Sequence, residues 1–173
     1  YGMSPRLRFD LVLNNLVAWA VTTGKVYLKS DGSAWRPIVH IADISRAFIS
    51  VLHAPLEEVR NMAFNVGRSD ENYQIRDLAE IVKETVPDCK VSFAKDAGPD
   101  KRCYRVDCSF LPKTLPEFKP QWNAKKGAHE LYEAYSRYGL ELEEFEGPKY
   151  KRIDHIKMLI KSGKLSHNLR WQK

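Results

Sequence analysis

The chain has 173 residues, 43% of them hydrophobic, which is enough for one domain with a buried core. No apolar run reaches the ~18 residues that a membrane span requires, and no charged-then-apolar segment of the secretory type opens the sequence. Three cysteines without Cys-x-x-Cys spacing argue against a disulfide framework and a zinc site, so we expect a reduced, cytoplasmic compartment.

The formal net charge of +6 is concentrated at the carboxyl-terminal end. Residues 147–173 carry a net +7, with Asp154 as their only acidic residue, which leaves −1 for residues 1–146. We therefore divide the chain into a nearly neutral body, residues 1–146, and a basic tail, residues 147–173. We expect the protein to bind neither nucleic acid nor a membrane, and we expect the tail to pack as an amphipathic helix plus an extended end.

The first predicted element is a helix over residues 8–23, which contains neither Gly nor Pro and ends before Gly24. Lys25 to Lys29 is a short β-prone segment with polar ends, and we predict a strand there. Asp-Gly at positions 31–32 then signals a turn.

A turn, an arginine, a strand and a helix are predicted to follow in close succession. Pro37 disfavours helical backbone at Arg36, and residues 38–41 are β-prone. Asp43 is a candidate cap for a helix over residues 43–53. This order places the Arg36 guanidinium at the mouth of a buried strand, where its planar fork can bind a phosphate through two hydrogen bonds.

The rest of the body alternates short β-prone runs with two amphipathic helices. The remaining predicted elements are strands over residues 62–67, 90–94 and 103–106, a helix over residues 75–82 that ends near Pro87, and a helix capped by Asn123 and closed by Gly139.

Four stretches, in this order, resemble the extended short-chain dehydrogenases, the NAD-dependent nucleotide-sugar epimerases and dehydratases. They are Tyr1-Gly2 with Ser4-Pro5-Arg6, Arg36-Pro37-Ile38-Val39-His40-Ile41-Ala42-Asp43-Ile44, Phe64-Asn65-Val66-Gly67, and Asp100-Lys101-Arg102-Cys103-Tyr104-Arg105-Val106-Asp107. The resemblance extends to about residue 140. It implies an α/β fold: the carboxyl-terminal substrate-binding part of a Rossmann-type enzyme, with short strands and several helices.

The resemblance assigns Arg36 and Arg102 to the diphosphate of a nucleotide sugar. Two fixed guanidiniums can neutralise a doubly charged linker, and each charge-assisted hydrogen bond contributes roughly 1.5–3 kcal/mol. The alternative is that each arginine forms a surface salt bridge, with Asp31 and Asp100 as nearby partners.

Further substrate-binding candidates come from the same resemblance. Asn14 and Asn15, early in the first helix, would lie near the phosphate or sugar, and we add Arg8 at the start of that helix. Their alternative role is to cap loops or face solvent. Val26 and Leu28 would offer backbone groups to the nucleotide base, unless their strand is an ordinary edge strand.

The sequence contains no Gly-x-x-Gly-x-x-Gly turn and no tyrosine followed by lysine four residues on. We therefore assign no catalytic, cofactor-binding or metal-binding residue to this chain. His40 is expected to be a satisfied core histidine, and Asp43 and Asp107 to cap helices or brace loops. NAD would be bound mainly by an absent amino-terminal half, and this chain alone is predicted to be inactive.

These features predict the substrate-binding half of an NAD-dependent nucleotide-sugar epimerase or 4,6-dehydratase, homodimeric when intact. In that family NAD transiently oxidises the sugar and returns the hydride, so there is no net redox change. One alternative is a reductase of the same superfamily that uses NADP. Another is a binding module without catalysis, because Ile153, Ile156 and Ile160 have the spacing of an amphipathic docking helix under a basic face.

Overall fold

The computed structural model describes residues 1–5 and 7–172, so Arg6 of the first family motif and Lys173 of the basic tail lie outside it. The helices are α1 (Val12–Thr23), α2 (Ile41–His53), α3 (Leu56–Val59), α4 (Ile75–Thr85), α5 (Phe110–Thr114), α6 (Ala124–Tyr138), α7 (Leu142–Phe145) and α8 (Arg152–Lys161). The strands are β1 (Lys25–Leu28), β2 (Trp35–Pro37), β3 (Asn72–Gln74) and β4 (Lys90–Phe93).

The main hydrophobic core lies between α1, α4 and α6 and the two-stranded sheet of β1 and β4. These two strands are parallel, with Lys25 opposite Lys90 and Leu28 opposite Phe93. Fully buried side chains from all three helices meet there, among them Leu13, Leu78 and Leu131. Burial of these apolar faces is what fixes the helices on the sheet.

The first helix begins at Val12 and not at residue 8 as predicted. The Asn14 and Asn15 amides explain the later start, because they donate to the carbonyls of Arg8 and Phe9 at 2.9 and 3.0 Å and so stabilise a turn ahead of the helix. At the other end Gly24 adopts φ 68° and closes α1, as the sequence predicted.

The strand predicted over residues 38–41 is wrong, and so is the cap assigned to Asp43. The strand lies earlier, at β2, which pairs with β3 in antiparallel register and sets Arg36 opposite Tyr73. Helix α2 then begins at Ile41 because His40 is its cap: the imidazole Nδ1 accepts a hydrogen bond from the Ala42 N–H at 3.1 Å.

Helix α2 buries a polar residue and exposes apolar ones. Its buried residues are Asp43 and Ala47, whereas Phe48 is 67% exposed and Leu52 is 79% exposed. Both lie on one side of the helix with Ile41. This face has no apolar partner among the described residues.

The strands predicted over residues 62–67 and 103–106 are also wrong, since neither segment is a strand in the structure. In the segment over residues 103–106, the Asn72 side chain takes the place of a neighbouring strand. Its amide donates to the Val106 carbonyl at 3.0 Å, and its oxygen accepts from the Val106 N–H at 2.8 Å. The first segment is largely exposed at Met62 and is joined to the second by an Asn65 side-chain bond to the Asp107 carbonyl.

Helix α6 is confirmed with both of its predicted caps. The Asn123 side chain accepts from the Lys126 N–H at 2.9 Å, and Gly139 ends the helix at φ 64°. In the basic tail, α8 has no buried residue, and Ile153, which the amphipathic interpretation placed on the docking face, is 69% exposed. None of the helices in the described part of the chain is long and apolar enough to cross a membrane.

Leu131→Ala should lower the free energy of unfolding by about 2–5 kcal/mol, because it leaves a cavity in the core that α6 shares with α1 and α4. Phe48→Ala is the matched control on the exposed face of α2, with an expected loss within about 0.5 kcal/mol. Urea unfolding followed by circular dichroism measures both, and equal losses would contradict this assignment of the core.

Candidate functional site

An open cleft of about 1310 Å³ lies on the surface. Its walls are the start of α1, the end of β1, strand β2, the start of α2 and the loop over residues 96–104. Among its lining residues are six of the seven predicted substrate-binding residues: Arg8, Asn14, Asn15, Leu28, Arg36 and Arg102. The seventh, Val26, is fully buried in β1 and does not line the cleft.

Arg36 and Arg102 meet at this cleft on a single carboxylate. The Arg36 Nη2 donates to Asp100 Oδ2 at 2.7 Å, and the Arg102 Nη2 donates to the same oxygen at 3.0 Å. Arg102 Nε also donates to Asp100 Oδ1 at 3.1 Å. The sequence separated the two arginines by 65 residues, and the fold places their guanidiniums side by side.

The two arginines differ in how firmly they are held. The Arg36 side chain is 14% exposed, its Nη1 donates to the carbonyls of Trp35 and Arg102, and its guanidinium lies 5.4 Å from the centre of the Tyr104 ring. The Arg102 side chain is 81% exposed, and its hydrogen bonds among the described residues go to Asp100. Arg36 is therefore a fixed cation and Arg102 an adaptable one.

Asp100 remains ionised far into the acid range. The Arg102 side chain beside it is the largest cause, followed by the Arg102 backbone N–H, and together with Arg36 they lower the pKa of the Asp100 carboxyl to about 2. The salt bridge that we named as the alternative role of these arginines is thus present. Because both arginines share it, the contact also brings them together.

The asparagines at the start of α1 brace the chain. Asn14 is buried, its amide donates to the Arg8 carbonyl, and its Oδ1 accepts from the Gly2 N–H at 3.0 Å. Gly2 has φ 108°, and a Cβ there would collide with the His40 ring. Asn15 is half-buried and its Oδ1 has no partner among the described residues, so Asn15 is the more available of the two.

The side on which β4 pairs with β1 determines which backbone groups of β1 face outward. The Gly24 carbonyl accepts from the Lys90 N–H, and the Leu28 carbonyl accepts from the Ala94 N–H at 2.8 Å, so the groups of Val26 and Leu28 point towards β4. Alternation along the strand turns those of Tyr27 and Lys29 to the opposite edge, which pairs with no strand in the described chain. Both residues line the cleft.

More cations lie at the rim, but they are exposed. Arg8 forms a bidentate pair with Asp10, at 3.0 and 2.6 Å, with side chains 53% and 66% exposed. This pair raises the pKa of Arg8 and lowers that of Asp10, the shared hydrogen bonds being the largest cause. Exposed pairs of this kind add little to stability, so Arg8 can exchange Asp10 for another anion.

His40 is a satisfied core histidine, as predicted. It is 2% exposed, stacks on Trp122 at 3.7 Å, and its Nε2 lies 2.9 Å from Glu130 Oε2. Asp107 braces a loop, also as predicted, because its carboxylate accepts hydrogen bonds from Ser109 and Ser69. Neither group lines the cleft.

Sequence reasoning missed three features of the site. Asp100 was considered only as a salt-bridge partner, Tyr104 only as part of a motif, and Tyr27 only as part of a strand. A carboxylate two residues before an arginine is a signal that could have identified Asp100 as the shared partner. Nothing in the sequence sets the direction of the β1 backbone groups, because that depends on which edge β4 occupies.

Comparisons with known proteins bear on the family and the fold of this chain. Residues 3–67 match the model of the NAD dependent epimerase/dehydratase family. The resemblance inferred from the sequence is confirmed over these residues, which include Arg36 but not Arg102.

Solved structures share the fold. An NAD dependent NDP-hexosamine 5,6-dehydratase involved in tunicamycin biosynthesis matches with TM-score 0.65 and 20% identity, over 79% of this chain and 43% of its own. UDP-glucuronic acid 4-epimerase from Bacillus cereus, in complex with UDP-glucuronic acid and NAD, matches with TM-score 0.60 and 21% identity, over 80% and 43%. RMD from Pseudomonas aeruginosa, complexed with NADPH, matches with TM-score 0.64 and 15% identity, over 79% and 45%.

This chain therefore shares the α/β fold of these structures, and it spans less than half of their length.

Asp100→Asn should remove a pH-dependent part of the stability. A carboxyl with a pKa of about 2 in the folded chain and its ordinary value of ~3.9 when unfolded stabilises the fold above about pH 4, and this contribution is lost as pH falls through 2. The difference in free energy of unfolding between the original chain and the variant should shrink from pH 5 to pH 2.

The same comparison in an Arg102→Ala background serves as the control, because Arg102 is the largest cause of the lowered pKa. There the difference should vary less with pH. Urea unfolding at several pH values measures it, and a difference that stays constant with pH in the original background would refute the assignment.

Proposed function

We propose that this chain is the substrate-binding half of an NAD-dependent nucleotide-sugar epimerase or 4,6-dehydratase, and that its cleft binds the diphosphate of the nucleotide sugar. The proposal depends on one observation: two guanidiniums from distant parts of the chain meet on one carboxylate at the cleft wall. The family match over residues 3–67 supports the choice of substrate class.

Arg36 is suited to anchor one phosphate. It is largely enclosed and its position is set by two backbone carbonyls, so little side-chain freedom is lost when an anion arrives. Arg102 is suited to the second phosphate because its exposed side chain can follow the ligand. Bidentate arginine–phosphate contacts give both charge neutralisation and orientation.

The nucleotide base would lie along the open edge of β1. We assign its backbone contacts to Tyr27 and Lys29, in place of Val26 and Leu28, since the groups of the latter two face β4. Asn15, whose Oδ1 has no partner among the described residues, and Arg8 are placed to contact the sugar or phosphate.

The residues of this chain do not fit the pyrophosphate of NAD. A dinucleotide is held by a glycine-rich turn that leads directly into a helix. The residue that caps α1 is Leu11, that of α2 is His40 and that of α4 is Gln74, and the sequence has no Gly-x-x-Gly-x-x-Gly run. We therefore assign NAD to the rest of the intact enzyme and no hydride or proton transfer to this chain.

A reductase of the same superfamily is the second candidate. Its support is the similarity to RMD from Pseudomonas aeruginosa, a structure complexed with NADPH. The diphosphate site proposed here would serve either reaction, because both candidates act on nucleotide sugars.

Arg36→Ala should weaken the binding of UDP by at least tenfold, or ~1.4 kcal/mol, because it removes the fixed cation of the pair. Isothermal titration of residues 1–173 measures the affinity. Arg105→Ala is the control: it removes the same charge from an exposed residue that stacks on Trp35 outside the cleft, and it should change the affinity less than twofold. Equal affinities of Arg36→Ala and the original chain would contradict the assignment.

Residues 1–173 alone should neither bind NAD tightly nor turn over a nucleotide sugar, because the chain lacks both the glycine-rich turn and the Tyr-x-x-x-Lys pair. Fluorescence titration with NAD and product analysis with UDP-glucose, UDP-glucuronic acid and dTDP-glucose test this. Measurable turnover by the purified chain would show that its own residues carry the chemistry.

A further inference from the structure

The Asp100 carboxylate occupies the place that an anionic ligand would take. It lines the cleft, its side chain is 19% exposed, and both of its oxygens accept hydrogen bonds from guanidinium nitrogens. Arg36 and Arg102 each contact its Oδ2 within 3.0 Å, so a single oxygen joins the two cations.

Two other contacts of Arg36 do not involve this carboxylate directly. Its Nη1 donates to the carbonyls of Trp35 and Arg102, and its strand is paired with β3. Only Nη2 is bound to Asp100. Loss of the Asp100 charge would therefore leave the Arg36 guanidinium in place and release one of its donors towards the cleft.

We propose that Asp100 is an internal competitor for the arginine pair: its carboxylate occupies both guanidiniums in the free protein and a diphosphate must displace it to bind. This inference depends on the proposed function, because it concerns the same two arginines. It adds a residue that sets the affinity and selectivity of the site.

Charge explains why such a competitor favours a diphosphate. A singly charged anion replaces the carboxylate by an equal charge and gains little, whereas a diphosphate brings at least two negative charges to two guanidiniums. Hydrogen bonds between ionised partners are about twice as strong as those between neutral ones. A second negative charge on the ligand therefore strengthens its binding to the two guanidiniums. Asp100 thereby makes the site respond to doubly charged linkers and reject simple anions.

Asp100→Asn tests the proposal because it removes the charge and keeps the shape. Isothermal titration of residues 1–173 with UDP, and separately with inorganic pyrophosphate, should show affinity at least threefold higher than in the original chain. Asp100→Ser, a second variant without the charge, should show the same direction of change. Asp100→Glu keeps the charge and should retain the lower affinity.

Asp96→Asn is the matched control. Asp96 lines the same cleft and has no hydrogen bond or ion pair among the described residues, so its removal changes the general potential of the cleft without touching the arginines. Its effect should be less than half that of Asp100→Asn. If Asp96→Asn raises the affinity as much as Asp100→Asn does, the gain comes from the general charge of the cleft, and the competitor proposal is wrong.

The results separate this inference from the proposed function. If Arg36→Ala weakens UDP binding while Asp100→Asn leaves it unchanged or weaker, the arginine site stands and Asp100 only orients Arg102. If Arg36→Ala changes nothing, or if neither the original chain nor Asp100→Asn binds UDP, both proposals are wrong.

Discussion

Two buried carboxylates hold the start of α6 against the part of the chain that carries Arg36. Asp43 accepts the backbone N–H groups of Gln121 and Trp122 at 2.9–3.1 Å, and Glu71 accepts that of Ala124 at 2.8 Å. Burial raises the pKa of the Glu71 carboxyl, and its hydrogen bonds from the Ala124 N–H and the Tyr73 hydroxyl oppose the rise. Asp43 is one of the two buried residues of α2, and Glu71 directly precedes β3, the partner of β2.

Next to these hydrogen bonds, the cleft combines one enclosed cation with one exposed cation. Arg36 lies in the paired strand β2, and Arg102 lies in a loop opposite. Asp100 joins them and balances part of their charge in the free protein. Under the proposal above, this internal ion pair lowers the affinity for every anion and favours ligands that carry more than one negative charge.

Some helix ends could be predicted from the sequence because they depend on local chemistry. Gly24, Gly139 and Asn123 act as helix caps because capping depends on a few neighbouring residues. The strand predicted over residues 103–106 was wrong because its backbone is satisfied by the side chain of Asn72, more than thirty residues away. Hydrophobic pattern alone cannot report such a partner. The two arginines and Asp100 were all named from the sequence, but their meeting at one carboxylate depends on the tertiary fold, which brings Arg36 to Asp100.

The most direct test of the central claim is to compare UDP with uridine as ligands for the unmodified chain by isothermal titration at low and moderate salt. If the arginine pair binds the diphosphate, UDP should bind at least tenfold more tightly than uridine, and the difference should shrink as salt screens the charges. Equal affinities for UDP and uridine at both salt concentrations would contradict the account.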